Sequence, residues 1–99
     1  MFTAIKLAPT EDAETSESIP VGNSPVGIIA YSADGVIAEE DITIQVSHNN
    51  EDWQDLYSEG DLVALTSTNV AATLLGPAWF RAVKPITTNA VGIFIVGGV

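Results

Sequence analysis

The sequence predicts an all-β fold, namely a β-sandwich or small barrel of seven to eight short, mainly antiparallel strands. Three observations predict it. Residues 42–48 (ITIQVSH) alternate apolar and polar side chains, which is the period of a half-buried strand. Turn residues recur about every ten positions, and that spacing is typical of a sandwich or barrel. Helix signals are few, because most apolar runs are short, β-branched and closed by glycine or proline.

The clearest element is a hairpin. The strand 42–48 is followed by the polar run 49–52, which favours a turn, and the chain is expected to return over 53–57. The apolar residues at even positions of the first strand are predicted to face the core. The intervening residues, Ser47 among them, are then predicted to face solvent.

Further strands are predicted where apolar, β-branched runs lie between turn signals. They are 18–21, 25–32, 62–66, 70–75, 78–84 and 90–96. For 70–75 a short helix capped by Asn69 is the alternative. The β-branched Val70 and Thr73 disfavour that helix.

The chain divides by composition into two parts. Residues 8–18 are small or acidic and contain no large apolar side chain, which is typical of a solvated loop or arm. We therefore expect residues 1–18 to be an N-terminal arm that is either flexible or anchored through its apolar residues Phe2, Ile5 and Leu7, against this chain or a partner. Residues 19–99 are expected to form the sandwich domain.

Charge and cysteine content exclude several partners and chemistries. Thirteen acidic residues against three basic ones give a net charge of −10, so phosphates of nucleic acid and anionic membranes would be repelled. The absence of cysteine excludes disulfides, thiolate metal sites and cysteine nucleophiles. The negative charge either keeps an abundant protein soluble or complements a basic surface on a partner.

Residues for catalysis are scarce. His48 is the one histidine, and its neighbours in the sequence are turn formers rather than a nucleophile or an orienting group. Carboxylates crowd into turns without the spacing of a calcium-binding EF-hand. We therefore expect no enzyme activity, no cofactor and no metal site.

The two tryptophans have two interpretations. Core packing is the first, and stacking on a carbohydrate is the second. Strict alternation places Trp79 and Arg81 on one face of their strand and Phe80 on the other, so one aromatic ring must point away from the local core. An outward Trp79 beside Arg81 would suit a protein–protein contact.

Three segments together resemble a known group of proteins. They are the hairpin 42–56 with its serine, polar turn and tryptophan, the segment 76–85 (GPAWFRAVKP), and the closing strand 91–95 (VGIFI). Over about residues 19–96 their order and spacing are similar to those of small virion proteins of tailed bacteriophages. That group includes capsid decoration (cement) proteins and the base domains of head fibres.

The resemblance implies a sandwich or barrel, often trimeric, that sits on the outer capsid surface and bridges neighbouring major capsid proteins. The expected partners are thus the major capsid protein and further copies of the chain, with a homotrimer favoured. The expected location is the virion, after synthesis in the host cytoplasm. The family has no short motif from which binding residues carry over. Our own candidates for the partner or oligomer interface are Phe2, Ile5, Leu7, Trp79, Arg81, Phe94, Val96 and Val99. The alternative is a carbohydrate-binding or adhesion module that uses Trp53, Tyr57 or Trp79.

Overall fold

The computed structural model describes residues 2–32, 35, 37 and 39–97, and within them the chain forms twelve strands. The strands are β1 (Phe2–Thr10), β2 (Glu14–Thr15), β3 (Ile19–Val21), β4 (Val26–Ser32), β5 (Ile42–Ser47), β6 (Gln54–Asp55), β7 (Tyr57–Ser58), β8 (Asp61–Leu62), β9 (Ala64–Leu65), β10 (Ala71–Leu74), β11 (Ala78–Lys84) and β12 (Val91–Gly97). The described segments include no helix that could span a membrane.

The strands form two antiparallel sheets and one small hairpin. Sheet A has the order β1-β12-β4-β10. Sheet B has the order β2-β11-β5-β6, and β3 and β9 pair with its central strands β11 and β5. The hairpin β7-β8 stands apart from both. The prediction of an all-β, antiparallel fold is confirmed. No strand of the described residues belongs to both sheets, which favours the sandwich over the barrel.

One core lies between the two sheets. Each long strand turns alternate side chains toward it, as the two-residue period of a strand requires. Ile93 on β12 and Ile28 on β4 come from sheet A, and Ile44 on β5 and Phe80 on β11 come from sheet B. All four are at most 2% exposed. Each such side chain stabilises the fold by roughly 1.5–3 kcal/mol relative to an exposed one.

The predicted hairpin is confirmed in its pairing, since β5 pairs with β6 through Gln45 opposite Asp55. The returning strand is shorter than the expected 53–57, because Tyr57 belongs to β7 and pairs with β8. Ser47 was expected to face solvent, but it is only 3% exposed. Its hydroxyl donates to Asn49 Oδ1 at 3.0 Å and accepts the Asn49 N–H at 3.2 Å. The prediction was wrong because Ser47 is the last residue of β5, and its hydroxyl is hydrogen-bonded to the turn that follows.

Two other outcomes concern strand count and type. The segment 70–75 is a strand, β10, as predicted over the helical alternative. The structure has more strands than the seven to eight predicted, because five of the described strands are only two residues long. Runs that short leave no periodic pattern in a sequence.

The N-terminal segment is anchored against the chain itself, as one of its two expected states, and is not a flexible arm. Strand β1 joins sheet A by pairing with β12, and β2 joins sheet B by pairing with β11. Ser16 is buried, and its Oγ accepts the Ala82 N–H at 2.9 Å while its own N–H donates to the Ala82 oxygen at 2.9 Å. Backbone pairing and one hydroxyl anchor this segment, so its acidic, small-residue composition does not reveal the anchoring.

Strand β1 passes close over Gly92 of β12. A Cβ at that position would lie 2.6 Å from the Leu7 carbonyl oxygen and 2.9 Å from Tyr31 Cε1. The pairing register shifts on both sides of Leu7, where the strand is bulged. Glycine at 92 therefore permits the close approach of β1 to the sheet.

We predict that Gly92→Ala lowers the free energy of unfolding by about 1–3 kcal/mol, because β1 must move off β12 to make room. Urea unfolding followed by circular dichroism measures it. Gly22→Ala is the matched control, since a Cβ there meets nothing within 4 Å. Equal stability of the two variants would contradict the prediction.

Candidate functional site

The outer face of sheet A is apolar across all four strands. Residues directly opposite one another in antiparallel strands share a face. Ile5 lies opposite Phe94, Phe94 opposite Ile29, and Ile29 opposite Ala71, so one row of these four side chains crosses the sheet. The buried Ile95 and its opposite neighbours point the other way, into the core.

A second row adjoins the first. It runs from Thr3 through Val96 and Gly27 to Thr73. Gly92 and Tyr31 form a further pair, and the Tyr31 ring meets Phe94 edge-on with centroids 5.4 Å apart. We call this surface the apolar face. Its residues are Thr3, Ile5, Gly27, Ile29, Tyr31, Ala71, Thr73, Gly92, Phe94 and Val96.

Charge is separated from the apolar face. The four strands of sheet A contain one charged residue, Lys6, and all thirteen acidic residues lie outside them. Lys6 Nζ is 3.2 Å from Glu17 Oε1, so its charge is paired. The face is half-buried at its centre and exposed at its borders, where Ile5 is 64% exposed. An uncharged sheet surface on so acidic a protein is unusual for a solvated face.

The outer face of sheet B is polar and aromatic. Arg81 Nε donates to Gln45 Oε1 at 2.7 Å, and the Arg81 guanidinium lies 4.4 Å above the centre of the Trp53 ring. Gln45 Nε2 in turn donates to Asp55 Oδ1 at 3.2 Å. Trp79, which is half-buried, lies on the same outer face because Phe80, its neighbour, is in the core. The cation–π contact and the hydrogen bonds hold Arg81 in one orientation.

Two shallow depressions lie at the end of this face. They share His48, Pro77 and Ala78, and Trp53 borders one while Trp79 borders the other. His48 is exposed at the end of β5. Among the described residues, no group of three or more histidine, aspartate or glutamate side chains is placed to hold a metal ion.

The eight interface candidates do not form one surface. Ile5, Phe94 and Val96 come together on the apolar face. Phe2 is 47% exposed on the same strand as Ile5 but covers Gly97 on the other side of the sheet.

The other candidates are separated from that surface. Trp79 and Arg81 lie on sheet B, at the opposite side of the molecule. Leu7 is only 7% exposed and belongs to the core. Its expected place in an interface is therefore corrected to a place in the core. The bulge after Ile5 turns it inward. Val99 lies outside the described residues.

Sequence reasoning missed Ile29, Tyr31 and Ala71. The run 26–31 carried a signal, since it is apolar at both odd and even positions. Such a run is apolar on both sides of a strand. Which other strands complete the surface depends on the register, and residues 29, 71 and 94 are far apart in the chain.

Lys84 is the last residue of β11 and is buried, with 1% of its surface exposed. Its Nζ donates to the Asp12 carbonyl oxygen at 2.6 Å and to the Pro85 carbonyl oxygen at 3.3 Å. Burial lowers the pKa of the ammonium group, while nearby carboxylates, Glu14 first, oppose that shift. The lysine thus ties the loop after β1 to β11, which is a structural role.

No protein-family model, curated protein or solved structure matches this chain.

The stability of the fold depends on pH through Glu40. Its carboxylate accepts the Thr88 N–H at 3.1 Å and the Thr88 hydroxyl at 2.8 Å. These bonds, the backbone one first, lower the pKa of Glu40 below its ordinary 4.5. A lowered pKa means that the folded state favours the charged form. The stabilisation is therefore complete above pH 4.5 and is lost as the pH falls through the folded-state pKa.

We predict that Glu40→Gln is less stable than the parent chain at pH 7 and that the difference shrinks below pH 4.5. Thermal unfolding at a series of pH values measures it. Glu39→Gln, an exposed neighbour, is the control and should follow the parent curve. A constant difference between Glu40→Gln and the parent at every pH would contradict the assignment.

Proposed function

We propose that this chain is a non-enzymatic structural protein that binds another protein through the apolar face. The observation that carries the proposal is the row Ile5, Phe94, Ile29 and Ala71 on the open side of a sheet without acidic residues. Contiguous apolar surface of this kind is characteristic of protein–protein contacts. Burial of Phe94 and Tyr31 on docking would supply the aromatic anchors that such contacts favour.

The occupant is a protein with an apolar patch and a basic rim. The apolar face has no charge of its own, while the described acidic residues lie in the loops, in sheet B and in the hairpin β7-β8. A partner that covers the face would bring its rim near those acidic loops, where lysine and arginine are complementary. The same charge keeps free copies apart before docking.

The size of the apolar face favours many weak contacts over one strong contact. Four strands spaced about 4.8 Å apart, with about six residues each at 3.4 Å, cover roughly 400 Å². A standard interface takes about 800 Å² from each partner. A single copy would therefore dock weakly, and several copies on a repetitive surface would gain by avidity.

The outer surface of a bacteriophage capsid is repetitive, as docking by many weak contacts requires. The resemblance of segments 42–56, 76–85 and 91–95 to virion proteins also supports a capsid as the partner. In this proposal the chain decorates the outside of the shell, bridges major capsid proteins and stabilises the particle. The fold contains no cysteine, so its stability comes from packing of the core between the two sheets.

Binding to undecorated capsids tests the proposal. We expect the chain to co-sediment with the capsids stoichiometrically at micromolar concentration. Ala71→Asp should weaken binding by roughly tenfold or more, because it buries an unpaired carboxylate in the interface. Ala71 is exposed on β10, so the substitution leaves the core intact.

Gln54→Glu is the matched control, since it adds the same charge on an exposed residue of sheet B. It should bind as the parent does. Failure of the parent chain to bind the capsids would refute capsid decoration. Equal binding by Ala71→Asp and Gln54→Glu would refute the apolar face as the contact.

A carbohydrate-binding or adhesion module is the second candidate. The depressions between Trp53 and Trp79 favour it, since aromatic rings border a groove that also contains His48. The Arg81 guanidinium already covers one face of Trp53, which leaves less of that ring for a sugar.

We predict no change in tryptophan fluorescence when the chain is titrated with glycans selected from an array. The protein-binding proposal requires no contact between a ligand and either tryptophan. A saturable change that disappears in Trp79→Ala would instead support the carbohydrate-binding candidate. Phe94→Leu, on the other sheet, is the control for that substitution and should not alter the titration.

A further inference from the structure

The edge of sheet A formed by β1 is long and partly unprotected. In the described part of the chain, β1 has a neighbour on one side only, β12. It is nine residues long, and an edge strand of that length offers a row of free backbone groups to another chain. Proteins usually blunt such edges with charge, proline, bulges or short strands.

The second half of β1 carries those protections. The register shifts between Ile5 and Leu7 and again between Leu7 and Thr10. Lys6 is charged and paired with Glu17, and Pro9 cannot donate a backbone hydrogen bond. Another strand therefore cannot extend along this half.

The first half carries none of them. Residues 2–5 pair in continuous register with 94–97 and contain no charge, proline or bulge. Phe2 is 47% and Ile5 is 64% exposed. The other outermost strands are shorter: β10 has four residues, and β2 and β6 have two each, with an acidic residue in both.

We propose that residues 3–5 pair with the same residues of a second copy, antiparallel about a twofold axis, to make one continuous eight-stranded sheet. A second copy fits this edge because the edge is uncharged. Two copies with a net charge of −10 each can meet there without bringing unpaired carboxylates together, since Glu17 is already paired with Lys6. A partner recognised through charge would have no charged side chain to pair with in residues 2–5.

The alternation of side chains limits the possible registers. Ala4 packs against the core, whereas Thr3 and Ile5 point outward. A continuous sheet places residues of the same face opposite one another. Two registers satisfy this rule, one with Ala4 opposite Ala4 and one with Thr3 opposite Thr3. The first is the one proposed here, because it sets Thr3 opposite Ile5 and so brings the exposed Ile5 of both copies into the contact. A shift of one residue would set core-facing side chains against outward ones.

Pairing at this edge also changes the apolar face. It would join two faces side by side and bring the continuous apolar area to roughly 800 Å², the share of one partner in a standard interface. The proposed pairing is inferred from the edge of β1 alone, whereas this consequence for the apolar face rests on the proposed function.

Size-exclusion chromatography with light scattering of the full chain tests the pairing. We expect a mass of twice 10.4 kDa at micromolar concentration. Ile5→Glu should weaken the dimer by roughly tenfold or more, because it replaces an apolar contact by a desolvated charge. The double variant Thr3→Lys with Ile5→Glu should recover part of that loss, since each lysine then lies opposite a glutamate.

A parent mass of 10.4 kDa, or of three times that value as in a trimer, would overturn the proposal. So would a double variant that dimerises no better than Ile5→Glu. Circular dichroism verifies that each variant is folded. Ala71→Asp, at the far border of the sheet, separates the two proposals because it should remain dimeric while losing capsid binding.

A cross-link tests the register directly. The chain has no cysteine, so Ala4→Cys introduces a single thiol. Opposite residues of antiparallel strands have Cα atoms about 4.5–5.5 Å apart, which is within disulfide range. Mild oxidation should link the two copies of Ala4→Cys and leave Thr73→Cys, on β10, unlinked. Failure of Ala4→Cys to cross-link in a dimeric sample would refute the register.

Discussion

The constraint on which the structure depends is the double pairing of β12 with β1 and β4 at the centre of sheet A. Its inward side chains, Val91, Ile93 and Ile95, are nearly inaccessible and supply much of the core. Its hydrogen bonds hold the N-terminal strand in the fold, and Gly92 lets β1 approach closely. The apolar face exists because this strand is apolar on its outward side as well.

The distribution of charge follows from the same arrangement. Sheet A takes its strands from both ends and the middle of the chain, and these segments hold a single charged residue. The described acidic residues lie in the loops, in sheet B and in the hairpin β7-β8, and the outer face of sheet B carries the network of Arg81, Gln45 and Trp53. The composition shows only that the chain as a whole is acidic. The uneven distribution of charge over the surface becomes visible only once the fold is known.

The sequence predicts β4, β5, β11 and β12 well because each is a local pattern, but it misses β1, the longest strand, which lies in the segment expected to be an arm. The alternation over 42–48, the run 78–84 and the closing strand near 91–97 need no knowledge of neighbours. The two-residue strands and the anchoring of Ser16 depend on contacts between distant segments, which leave no periodic signal. Of the candidate surface, Ile5, Phe94 and Val96 were among the predicted residues. The rest of it depends on the register that aligns Ile29 and Ala71 with Phe94.

An apolar run in a sequence has two physical explanations, and the number of layers decides between them. A strand apolar on both sides is expected where helices or sheets cover both faces. A two-layer sandwich covers only one face of each strand. The inward residues of β4 and β12 therefore account for the core, and Ile29, Phe94 and Val96 are not needed for it. Ile29, Phe94 and Val96 are half-buried within the chain, and the proposed docking would cover the part of the apolar face that remains exposed.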